Sequence, residues 1–318
     1  MLLVTYTLSP FLEDNLEKID EIRKDLLLTP ISLKIDLGLR WEAMLERIYW
    51  YLSLDGNPVP RSEIRRLLTL QNIQKNLTPQ QREVIDYKKA IHYISQNWLS
   101  SPEKITSKVI LKLYNTTYFP TFGPPTDFAP VEESIQAFLV YLQQGKDHPV
   151  IASATAFIQL LHIGCFHAAN ERMARLLVYL FLYKYYYDFR GLLVLERDFR
   201  QNLSKYRNTY QAVLQTKNLT SWLEFFSESL HNSLEKVQEN LKLLPFQVET
   251  TKPFWQLNNR QKEILTLLEN PQETIANKKV QQILQVSQIT ASRDLAKLAT
   301  LGFLFTHGKG RSVYYTKV

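Results

Sequence analysis

Two strongly apolar stretches of helical length, residues 150–161 and 172–187, lie ten residues apart near the middle of the chain. Helices this apolar have no broad face to give to water, so they predict a buried central pair with other helices packed around it. The flanking sequence supplies those helices. Apolar residues recur at helical spacing over 37–52 and 60–68, and over 131–144, where Gly145 is a natural stop. Residues 78–98 open on Thr78-Pro79, a cap followed by proline at the first helical position. Val84, Ile85, Ala90, Ile91 and Ile94 then share one face. Residues 107–114 read as a short helix and 219–244 as a long one. Pro120, Pro124, Pro125 and Pro130 break 118–130 into a loop. The predicted class is mainly α.

A single cysteine excludes an internal disulfide framework and any cysteine-based metal cluster, and points to a reducing, cytoplasmic setting. Only 9 glycines in 318 residues leave little room for glycine-rich phosphate loops. No apolar run reaches the roughly 18–20 residues of a transmembrane helix, so no membrane partner is expected. The start, Met1-Leu-Leu-Val-Thr-Tyr, lacks a basic region and soon meets Glu13 and Asp14, so no signal peptide is expected.

The net charge of +7 is unevenly placed. Residues 252–318 hold ten Lys or Arg against four Asp or Glu, whereas the first 251 residues are nearly balanced. A compact basic module suggests a polyanion, and DNA first among them, although a solubilising surface would look the same. In that module, 259–269 and 275–284 read as helices, and Val286-Ser287 as a turn whose serine caps a third helix over 288–301. Gly302 ends that helix, and two short strands follow around the glycine-rich tip His307-Gly-Lys-Gly-Arg311. Helix, helix, turn, helix and hairpin is the order of a winged helix-turn-helix. The text Gln285-Val-Ser-Gln-Ile-Thr-Ala-Ser-Arg-Asp-Leu295, with Leu298 and Gly302-Phe-Leu, resembles the winged DNA-binding domains of bacterial repressors. That resemblance puts the third helix in the major groove, with Gln288, Thr290, Ser292 and Arg293 on base edges. Lys297, Lys309 and Arg311 would meet phosphates. A winged domain that docks on protein or only dimerises remains the other reading.

Between the apolar helices runs His162-Ile-Gly-Cys-Phe-His-Ala-Ala-Asn-Glu-Arg-Met-Ala-Arg-Leu-Leu177. Its tail, Asn170-x-Arg172-x-x-Arg175, resembles the signature of the Fic family, His-Pro-Phe-x-Asp/Glu-Gly-Asn-Gly-Arg-x-x-Arg. Upstream, Leu54-Asp55-Gly56 resembles the family's inhibitory-helix motif, with Tyr51 at its usual Ser/Thr position. Asp86-Tyr87-x-x-Ala90 and Pro124-Pro125 are similar to further family motifs. The resemblance spans about residues 35–240, and a C-terminal winged helix is a known companion of such members. It implies an N-terminal helical region over 1–100, a Fic-like core over 101–245, and the winged domain over 252–318.

Family members mostly transfer AMP from ATP to a protein hydroxyl. The resemblance implies a histidine as general base, a carboxylate holding Mg²⁺, a Gly-Asn-Gly anion hole, one arginine on the phosphates, and a second on the inhibitory glutamate or the γ-phosphate. Aligned on the tail, the histidine falls on Gly164, the proline on Cys165, and the metal carboxylate on Ala168. The glycines fall on Ala169 and Glu171. Only Phe166, Asn170, Arg172 and Arg175 remain. Losing a general base removes typically 10²–10⁴-fold, Ala168 offers no ligand atom, and Glu171 sets a carboxylate where phosphate oxygens would lie. No catalytic residue and no metal site is therefore assigned. His162 and His167 are the candidate substitutes for the base, and Glu171 for the metal ligand. Cys165 reads as a buried structural thiol. The segment before Pro125 is too short and proline-broken for the family's substrate-docking flap.

Asn170, Arg172 and Arg175 remain candidates for nucleotide or anion binding, with ATP the one possible cofactor. Asp55 and Gly56 read as an inhibitory-helix remnant, and Arg172 and Arg175 could equally form structural salt bridges with Asp55 or Glu171. The expectation is a degenerate, Fic-like, DNA-binding regulator that forms a homodimer or senses a ligand. A divergent AMP-transferring enzyme is the alternative.

Overall fold

The computed structural model describes residues 5–29, 31, 33–57, 59–69, 77–99, 101–118, 122–125, 127–243, 257–268, 273–301, 303–308 and 312–317. The stretch between the expected core, which ends at 245, and the expected winged domain, which starts at 252, lies outside them. The chain divides into two compact units, Met1–Thr29 with Arg40–Leu244, and Pro30–Leu39 with Pro245–Val318.

The first unit is helical. Its elements are α1 (Pro10–Leu28), α2 (Leu33–Leu54, which belongs to this unit from Arg40 onward), α3 (Arg61–Thr69), α4 (Pro79–Trp98), α5 (Ser107–Thr117), α6 (Glu132–Leu142), α7 (Pro149–Ile163), α8 (Asn170–Lys184), α9 (Leu195–Gln201), α10 (Leu203–Thr216) and α11 (Thr220–Leu243). The expected central pair is α7 and α8. Every residue of α7 from Val150 to Leu160 is buried, and so is every residue of α8 from Met173 to Tyr183. Thr78 caps α4 through a capping box with Gln81, as the Thr-Pro start predicts. Helices α4, α6, α10 and α11 pack around the pair. Aromatic rings tie α7 to α11 and α9 to α10: Phe157 stacks on Trp222 at 4.7 Å, and Phe199 on Tyr206 at 4.8 Å. The Trp222 indole N–H donates to the Ala154 carbonyl at 2.9 Å, so this buried polar group is satisfied.

The second unit contains α12 (Asn259–Thr266), β1 (Thr274–Ala276), α13 (Asn277–Leu284), α14 (Gln288–Thr300), β2 (Leu304–His307) and β3 (Tyr314–Lys317). The strands form an antiparallel sheet in the order β1-β3-β2. Ile264, Leu268, Ile275, Val280, Leu295, Leu298 and Leu304 fill its core. The hairpin and the turn before α14 match the sequence expectation. The second helix does not begin at residue 275: Thr274–Ala276 pairs with Thr316, Tyr315 and Tyr314 as a third strand, and the helix starts at Asn277.

Candidate functional site

The link between α7 and α8 is built around a left-handed stop. Gly164 takes φ +69° as the residue after α7, and its N–H donates to the Leu160 carbonyl at 3.1 Å. Glycine suits this conformation, whereas a side chain there is strained by about 1 kcal/mol. The position aligned with the family's base is thus a helix terminator. Asn170 closes the loop from the other side. Its Oδ1 accepts the Phe166 N–H at 3.3 Å, and its Nδ2 donates to the Leu160 and Leu161 carbonyls at the end of α7. Phe166 anchors the loop by stacking on Tyr114 at 4.7 Å.

The candidate bases lie on the outside. His162 is exposed in the last turn of α7, and partial burial and Lys217 lower its pKa. His167 is exposed at φ +44° and pairs with the equally exposed Asp127 at 3.2 Å. Ala168 is exposed, and its methyl group has no ligand atom to offer. Cys165 is buried, and desolvation pushes its thiol up to about 12, far from a reactive thiolate.

The arginines are engaged by the chain itself. Helix α2 ends in a Schellman motif: the Asn57 N–H donates to the Leu52 carbonyl and the Gly56 N–H to that of Ser53, with Gly56 at φ +71°. This termination presents Asp55 to α8. Asp55 accepts from Arg172 Nε at 2.9 Å and from Arg175 Nη2 at 2.7 and 2.8 Å. Arg172 Nη1 also pairs with Glu83 of α4 at 2.8 Å, and Asn57 donates to that same carboxylate. Arg175 Nη1 pairs with Glu171 one turn earlier at 2.9 Å, and Tyr206 of α10 donates to Glu171 at 2.8 Å. Among the described residues three carboxylates here meet two guanidinium groups, a surplus of one negative charge. Burial works against the Arg175 charge, but Asp55, Tyr206 and Glu171 outweigh it and hold the group protonated. Tyr51 lies under the Arg175 guanidinium at 5.1 Å, and its hydroxyl meets that of Tyr118 at 2.5 Å. Burial pushes both phenols up.

Glu83 and Tyr206 carry no local sequence signal, because each is far along the chain from the groups it meets. Glu171 stands in the first turn of α8, where a carboxylate complements the helix dipole. The resemblance assigns that same position to the anion-binding turn of the signature's full form. The residues present therefore do not fit the nucleotide and Mg²⁺ that the signature's full form would hold. Among the described residues, no group of three His, Cys, Asp or Glu could hold a metal ion. No described helix is long and apolar enough to cross a membrane.

In the second unit, Ser287 caps α14 by accepting the Thr290 N–H at 3.2 Å. The turn before it uses Gln285 at φ +50°. Helix α14 buries Ala291, Asp294, Leu295 and Leu298. Asp294 fixes the helix to α12 by accepting from Arg260 Nε at 2.6 Å and Gln261 Nε2 at 2.8 Å. Gln288, Ser292, Arg293 and Lys297 are exposed, and Thr290 is half-buried against Ser287. The Ser292 hydroxyl accepts from Asn277 Nδ2 at 2.6 Å, and the same amide donates to the Gln288 carbonyl at 3.2 Å. Asn277, which the sequence reading absorbed into a longer helix, thus sets the start of α14. Lys278 and Lys279 beside it are exposed cations that the reading also passed over. Lys309 and Arg311 lie outside the described residues.

Comparison with known proteins agrees with this geometry. The chain superposes on a Fic family protein from Desulfovibrio desulfuricans with a TM-score of 0.60 at 15% identity, covering 98% of this chain and 97% of that one. Fic-1 from C. elegans matches with a TM-score of 0.59 at 17% identity, over 73% of each chain. A Fic domain containing signaling protein from Bacteroides thetaiotaomicron matches with 0.56 at 20% identity, over 72% of this chain and 97% of that one. The chain therefore has the Fic fold. Residues 260–317 match the DeoR-like helix-turn-helix domain, so a Fic-fold protein carries a helix-turn-helix domain at this end. No curated protein matches the chain.

Proposed function

We propose that the chain is a DNA-binding, transcription-regulating protein whose Fic-fold body does not transfer AMP. The observation that carries the reading is the exposed N-terminal half of α14 within a domain that matches a DeoR-like helix-turn-helix. Arg293 and Gln288 are available to base edges there, and Lys297, Lys278 and Lys279 to phosphates. The surplus of basic residues in 252–318 supports a polyanion partner. The body's side of the reading rests on Gly164, Ala168 and the carboxylates on Arg172 and Arg175. At the aligned positions Gly164 offers no base and Ala168 no metal ligand, and among the described residues both arginines already have carboxylate partners. Neither ATP nor another nucleotide is then needed as a cofactor. Two copies on two half-sites would supply operator length, with centres about 34–36 Å apart.

The test is anisotropy of a labelled duplex with the full chain, titrated between about 50 and 200 mM salt. A steep loss of affinity, near −0.9 in slope per phosphate neutralised, is expected. A flat response, or no binding at the lowest salt, overturns the reading. The competing reading is a divergent AMP transferase, which predicts label from α-labelled ATP on a protein target.

A further inference from the structure

We propose that Ile289 reads the methyl group of a thymine in the major groove; the inference rests on the DNA-binding reading above. Helix α14 gives one face to its own core. The opposite face carries Ile289, Ser292, Arg293 and Ala296 at the i, i+3, i+4, i+7 spacing of a single stripe. Ile289 is the second residue of the helix and is 66% exposed. It adds nothing to the core of the unit, and a β-branched residue there is only a middling helix former. Its neighbours on the stripe are short or polar. Ala296 and Ser292 leave the helix slim, which favours close approach to a groove floor.

The floor of the major groove presents donors, acceptors and one apolar group, the thymine C5 methyl. Gln288 and Arg293 match the polar edges, whereas the apolar group calls for a side chain like Ile289. Charge settles the occupant. An apolar protein partner would gain nothing from the basic surplus of residues 252–318, while duplex DNA complements it.

The test uses the full chain to select duplexes from a random library, then replaces each selected thymine singly by deoxyuridine, which lacks only the methyl. Wild type is expected to weaken about fourfold at one thymine of each half-site, the effect of uncovering one methyl-sized group. Ile289→Ala should weaken to a similar degree on the thymine duplex and be indifferent to deoxyuridine at that position. Ile289→Val should keep most of the discrimination, which guards against a folding artefact. If Ile289→Ala still distinguishes thymine from deoxyuridine at every position, or if no methyl matters to wild type, the inference fails while DNA binding stands. If the chain selects no duplex, the DNA-binding reading fails and takes this inference with it.

Discussion

In the helical body, Arg172 and Arg175 end on Asp55, Glu83 and Glu171 of the same chain. In the C-terminal unit, Arg293 and Lys297 end in solvent, and no carboxylate pairs with them among the described residues. Both pairs lie on helices, and both sit where a resemblance to a known family expects an anion. They differ in whether the protein has supplied the counter-ion. A guanidinium already held by two carboxylates gains little from a phosphate, because the phosphate must displace a neighbour and then face the freed carboxylate. An exposed cation loses only its hydration and its condensed ions. The presence of a motif's arginines is thus weaker testimony than the state of their partners.

The comparison can be broken most sharply at Asp55. Its removal in Asp55→Ala takes from Arg175, whose side chain is 2% exposed, the carboxylate at Nη2 and leaves Glu171 as its one charged partner among the described residues. We expect a loss of about 2–3 kcal/mol in urea unfolding, from charge-assisted hydrogen bonds lost at a buried group. A loss under about 1 kcal/mol would mean that the arginines do not depend on Asp55. Next in size is Arg293→Ala, which should remove about 1–3 kcal/mol of discrimination at one base pair in competition binding while sparing the fold. Equal weakening on every sequence would demote Arg293 to a phosphate contact.

Asp294 sharpens the contrast, because it is the buried carboxylate that the C-terminal unit does satisfy. Burial alone would raise its pKa, but the bonds from Arg260 and Gln261 outweigh burial and hold the carboxyl below the usual range. A pKa lower in the folded than in the unfolded state contributes stability above about pH 4, and that stability fades as pH falls through the folded value. Hydrogen exchange in α12 and α14, corrected for intrinsic rates, should show this acid loss in wild type. In Asp294→Asn the unit should be weaker by about 1–2 kcal/mol near neutrality, with a flatter acid response. The smallest effect is expected from Lys297→Ala, which should lower affinity evenly across sequences and reduce the salt slope by about 0.9.

Much of this contrast was legible in the residues. The apolar pair, the Thr78 and Ser287 caps, and the hairpin of the C-terminal unit all follow from local patterns. Helix α1 also has a plain signature, with Ser9 before Pro10 and buried Leu12, Leu16, Ile19, Ile22 and Leu26, although the sequence reading made nothing of it. Helices α9 and α10 are harder. The first has seven residues, and α10 buries only Tyr206 and Val213. Strand β1 has three residues and is defined by a partner some forty residues later, so Ile275-Ala276 reads as the start of a helix until β3 is in place. The departures from the signature at Gly164 and Ala168 are read from the sequence through the resemblance alone. The partners that close the site were visible only in part: Asp55 and Glu171 stand in motifs, whereas Glu83 and Tyr206 arrive through tertiary packing.

The central claim is that the body keeps its signature arginines for its own carboxylates and transfers no AMP. The most direct measurement incubates the full chain with α-labelled ATP, Mg²⁺ or Mn²⁺, and a bacterial lysate, beside Asp55→Gly and Arg172→Ala. We expect no labelled protein with any of the three, including the variant freed of Asp55. A labelled band from wild type or Asp55→Gly that disappears in Arg172→Ala would contradict the claim, and would show a working site with its base elsewhere than residue 164.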